Sequence, residues 1–81
     1  MTFRLVQLAE GAYDVEFDGV VIASLVKDIK QQRWTAELLD PHGRMPSPFQ
    51  RSEHAFSKLS DALFWLGDPE LIATPKVQRQ G

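Results

Sequence analysis

The chain contains no cysteine. Disulfides, thiolate metal ligands and thiol nucleophiles are therefore excluded. Histidine is scarce: only His42 and His54 occur, and neither sits in a ligand-like cluster. No structural metal and no cofactor is expected on that basis. No apolar run approaches the roughly 20 residues of a membrane span, so no membrane partner is expected either. The N-terminal stretch lacks a basic region followed by a long apolar segment, the pattern of a secretory signal. Together with the missing cysteine, this points to the cytoplasm. Neither sign of charge dominates, with nine Lys and Arg against eleven Asp and Glu. Bulk charge thus advertises neither nucleic acid nor an anionic surface. The sequence also has no glycine-rich phosphate loop and no nucleophile elbow. With no catalytic constellation in view, the chain is not expected to be an enzyme.

What is present suits one small folded domain. The 81 residues are 43% hydrophobic and 25% charged, which is typical of a packed soluble chain. A domain of this size buries only about 60% of its unfolded surface. Its core must therefore be well packed, or be completed by a second subunit. Residues 1–73 read as a single domain, and 74–81 as a disordered basic tail carrying Lys76 and Arg79.

The first half alternates with a period of two. Phe3 to Leu8 reads as a strand, with Phe3 and Leu5 on one face and Val6 and Leu8 on the other. Tyr13, Val15 and Phe17 alternate with Asp14 and Glu16, a clean half-buried strand. Asp18-Gly19 then predicts a two-residue hairpin turn. That turn sets Phe17 opposite Val20 and Val15 opposite Ile22, so Val20, Ile22 and Val26 are expected on the core face. Val21, Ala23 and Leu25 then fall on the outer face beside Asp14 and Glu16. Arg33 to Leu39 predicts another strand. Trp34 is expected toward the core if the preceding loop, 28–32, has five residues; a four-residue loop reverses the side. Asp40 to Pro48 holds three prolines and a glycine and reads as a loop. A short strand is expected between Phe49 and Phe56.

One helical period follows. Ser57 is the expected N-cap. Leu59, Ala62, Leu63 and Leu66 recur at helical spacing, and Gly67 with Pro69 marks the stop. Phe64 and Trp65 flank that stripe, and Leu71-Ile72 are expected to fold back over one of them. The fold class is α+β: an antiparallel meander of three to five strands with one C-terminal helix packed on one face.

The segment Trp34, Ala36, Glu37, Leu38, Asp40, Pro41, followed by Phe56, Ser57, Asp61 and Ala62, resembles the DNA-binding domains of plant ethylene-response factors. More loosely, it is similar to the arm-site domains of phage integrases. The resemblance covers about Val20 to Gly67. It implies a three-stranded antiparallel sheet with a helix behind, and DNA read from the open sheet face. The register instead puts Val21, Ala23, Leu25, Thr35 and Glu37 on that face, beside acids. The first expectation is therefore a non-enzymatic interaction module with a protein partner, a second copy included. Its candidate interface is Val21, Ala23, Leu25, Phe64 and Trp65. The alternative is DNA binding through the sheet and the turn carrying Lys27, Lys30 and Arg33.

Overall fold

The computed structural model describes residues 3–40, 43 and 45–73. The expected disordered tail, His42 and part of the proline-rich loop lie outside the described residues. Within them the chain forms six strands and one helix: β1 (Phe3–Ala9), β2 (Ala12–Phe17), β3 (Val20–Asp28), β4 (Arg33–Leu38), β5 (Glu53–Phe56), α1 (Leu59–Trp65) and β6 (Glu70–Ile72). All six strands form one sheet in the order β5-β4-β3-β2-β1-β6. Every pair is antiparallel except β1 with β6, which is parallel. The α+β class holds. The sixth strand arises because Leu71 and Ile72 pair with Leu5 and Val6 instead of folding back over the helix.

The Asp18-Gly19 turn forms as its chemistry requires, with both residues in the left-handed region (φ 53° and 82°) and Phe17 opposite Val20. The expected register then fails within two residues. Val15 pairs with Ala23, and Glu16 pairs with Val21, so Ile22 is the extra residue of a β-bulge. The bulge reverses the parity of all that follows in β3. Ala23 and Leu25, expected on the outer face, are both 0% exposed. The reason lies in Ser24. Without the bulge Ser24 would face the core and Leu25 would face water. With it, Ser24 stands beside Asp14 on the outer face, and Leu25 contributes the roughly 1.5–3 kcal/mol of a fully buried leucine.

A second reversal follows. Asp28 pairs with Arg33, so the β3–β4 loop has four residues, not five. Asp28 Oδ1 accepts hydrogen bonds from the backbone N–H of Lys30 (3.0 Å) and Gln31 (3.2 Å), and Gln32 takes a left-handed φ of 52°. The two reversals cancel. Trp34 ends on the core side after all, 6.0 Å from Tyr13 between ring centres, with Ala36 and Leu38 buried beyond it.

Helix α1 starts one residue later than expected. Its N-cap is Lys58, with no side-chain cap, and Ser57 lies outside it. Its end follows the sequence closely. Gly67 N–H donates to Phe64 O and Asp68 N–H to Leu63 O, the paired bonds of a Schellman motif, with Gly67 at φ 85°. Ala62 and Leu66 are buried, and Leu59 and Leu63 are partly buried against the core.

Seven helical residues span about 10 Å, whereas six strands span about 24 Å. One short helix therefore cannot roof the sheet. It packs over β4 and β5. The loop before β5 supplies the missing cover. Phe49 is buried, with its ring 6.3 Å from Phe3 and 4.8 Å from Trp65. A single aromatic side chain thus links the β1 side of the sheet to the helix.

Candidate interaction surface

Helix and loop both lie on one face of the sheet, so the opposite face carries no second layer among the described residues. Its composition follows from register, because laterally paired residues share a face. The middle row reads Ile72, Val6, Asp14, Ser24, Glu37 and Glu53 across all six strands. On one side of it lies the row Glu70, Arg4, Glu16 and Val21. On the other side lies Ala12, Val26, Thr35 and Ala55. Neighbours within a row are about 4.8 Å apart, and rows are about 6.6 Å apart. The face is thus a carboxylate band next to an apolar band. Arg4 Nη2 lies 3.5 Å from Glu16 Oε1. Val26 is 44% exposed, and Val21 is exposed as well.

The sequence-predicted interface residues separate. Val21 remains on the outer face. Ala23 and Leu25 are core, because the bulge turned them inward. Trp65 packs against Phe49, His54 (4.6 Å) and Phe56 (5.1 Å), on the other side of the sheet. Phe64 is 81% exposed, but on the helix, and does not join the outer face. The predicted cations also separate. Lys27 pairs with Trp34 on the core side, Arg33 pairs with Asp28 on the outer side, and Lys30 sits in the turn between. They ring the hairpin tip and do not line the sheet.

His54 is a packing residue. Its ring lies against Phe49 and Trp65, and its Nε2 accepts a hydrogen bond from Gln50 N–H at 3.2 Å. Burial lowers its pKa below the usual 6.5, and the positive charge of Arg51 lowers it further. Ser57 and Ser60 are exposed. Among the described residues no three His, Asp or Glu side chains gather as metal ligands. Among the same residues no helix is long and apolar enough to cross a membrane.

A second concavity lies on the core side, at the Asp18-Gly19 end of the molecule. It is an open cleft of about 1290 Å³ between the sheet, the loop 45–48 and the segment after α1. Phe17, Ile22 and Trp65 line its interior. Asp18, Asp68 and Glu70 line it too, and all three are exposed at its rim. Sequence reasoning missed this cleft, since it depends on where the loop and β6 come to rest. It also missed the pairing of Glu37 with Glu53, because the start of β5 carries no register signal.

Searches against protein-family models, curated proteins and solved structures return no match to this chain.

Proposed function

We propose that the chain is a non-enzymatic module that binds another protein through the outer face of its sheet. One observation carries this reading. A six-stranded sheet is layered on one face only, and the bare face presents exposed Val26 and Val21 beside Asp14, Glu16, Glu37, Glu53 and Glu70. The partner that fits has an apolar patch bordered by lysine or arginine. The same face of a second copy fits poorly, because it would set carboxylates against carboxylates in a desolvating contact. The test is affinity capture with the wild type, Val26→Arg and Glu37→Lys. Both sites are exposed, so circular dichroism should be unchanged, Val26→Arg should melt as the wild type does, and Glu37→Lys, which relieves the like-charge pair with Glu53, should melt no lower. The expected result is a partner held by the wild type and lost by both variants. A set of captured proteins identical for all three would refute the reading.

A second reading has one supporting observation. Lys27, Lys30 and Arg33 surround a single tight turn, and the one acid among them, Asp28, is engaged by the turn's own N–H groups. The resemblance to the ethylene-response-factor and integrase domains points the same way, toward nucleic acid. Titration of a labelled DNA duplex at low salt checks it. Binding that weakens steeply with salt and is lost in Lys30→Ala supports it; absent or salt-insensitive binding ends it.

A further inference from the structure

The two ends of strand β3 carry opposite and complementary surfaces. At its start lies the open cleft, with an apolar interior and the carboxylates of Asp18, Asp68 and Glu70 at its rim. Arg4 also lines it, but that guanidinium is matched by Glu16. The volume, about 1290 Å³, exceeds the roughly 300–1,000 Å³ of small-molecule sites, and the cleft is open, so a stretch of polypeptide fits better than a metabolite. At the other end, about 27 Å away along nine residues of strand, the β3–β4 hairpin runs past its neighbour. The β2–β3 ladder ends with Ala12 opposite Val26, Lys27 N–H still donates to Gly11 O at 2.9 Å, and β3 continues to Asp28. Glu10, on the adjoining β1–β2 turn, comes level with the end of β3 near Lys27, and the turn residues Ile29 to Gln32 run on beyond it. The tip itself carries Ile29, 82% exposed, among Lys27, Lys30 and Arg33.

We infer that the occupant of the cleft is the β3–β4 hairpin tip of a second copy of this chain, so that the protein associates head to tail. Ile29 supplies the apolar plug and its flanking cations meet the rim carboxylates. Such a contact is heterologous. It leaves one free tip and one free cleft on every growing assembly, so it does not close at the dimer unless the rotation closes a ring. Ile29 of the tip and Val20 of the cleft lie off the outer sheet face, and Glu70 with Arg4 at the sheet edge belongs to both surfaces, so the inference is tested at Ile29 and Val20 and stands apart from the function proposed above.

Sedimentation velocity over micromolar to millimolar concentration tests it. At low salt the weight-average sedimentation coefficient of the wild type should rise continuously with concentration, and added salt should flatten the rise. Ile29→Asp at the tip, and Val20→Lys in the cleft, should each weaken association about 10- to 100-fold, the value of one buried aliphatic side chain. Val20 is exposed and lines the cleft, so the fold should survive, and Met45→Lys, likewise exposed in the cleft lining, is a second cleft variant. The decisive sample is the mixture. A tip variant keeps its cleft and a cleft variant keeps its tip, so together they should form a one-to-one dimer and stop there. A wild type that sediments as a monomer throughout overturns the inference. So does association indifferent to both variants, or a tip that binds a DNA duplex while the protein remains monomeric.

Discussion

Glu37 on β4 stands directly opposite Glu53 on β5, on the uncovered face of the sheet. Like charges in that position destabilise a strand pair. A sheet selected for stability alone has an easy remedy in a lysine at either site. Retaining both carboxylates is understandable if a cationic partner neutralises them. Glu53→Lys should therefore stabilise the isolated protein by about 0.2–1 kcal/mol in urea unfolding, and at the same time abolish partner binding. Lower stability would contradict the register at this edge.

The bulge at Ile22 makes its own prediction. Leu25→Ala removes a fully buried side chain and should cost about 2–5 kcal/mol. Ser24→Ala, on the outer face, should fall within about 0.5 kcal/mol of the wild type. The unbulged register puts Leu25 in water and predicts a loss within about 0.5 kcal/mol for Leu25→Ala, so the denaturant midpoint of that variant decides between the two registers.

Stability should also depend on His54. Burial, and then Arg51, lowers its folded pKa below 6.5. The unfolded chain therefore takes up its proton first as pH falls. The contribution of neutral His54 is fully present above about pH 6.5 and is lost as pH drops toward the folded pKa. Protonation also removes the acceptor for Gln50 N–H, next to Phe49. The melting temperature of the wild type should thus fall below about pH 6.5 more steeply than that of His54→Asn. Parallel curves would show that the imidazole is not the group responsible.

Gly67 tests the helix end. A Cβ there meets nothing within 4 Å, yet φ is 85°. Gly67→Ala should cost about 1–2 kcal/mol through the backbone alone, and Gly67→Asn less, since asparagine enters the left-handed region more readily. Equal losses for the two, measured by thermal unfolding, would point to a steric cause instead.

Several features were legible in the sequence because they depend on neighbours only. The Asp18-Gly19 turn, the Tyr13 to Phe17 strand, the Leu59–Leu66 stripe and the Gly67 stop all came from local chemistry and period. So did the α+β class. The faces of β3 were not legible. Val20 to Ala23 is apolar throughout, so alternation alone could not choose a side, and the choice fell to burial of Leu25 against Leu5, Val15 and Ala36. One slipped residue moved two predicted interface residues into the core and left a loop-length error to restore Trp34. The partners of Glu37, the seat of Phe49 and the parallel pairing of β6 were likewise decided only when distant segments met. Sequence by itself determined the strands up to β4, the Asp18-Gly19 turn and the helix, since those energies are local, but not that Glu70–Ile72 becomes a strand. Only the tertiary structure decided which side of β3, and of β4 registered to it, is surface. That side is chosen by the core as a whole, and it is what places a carboxylate band on one face and an acid-rimmed cleft at one end.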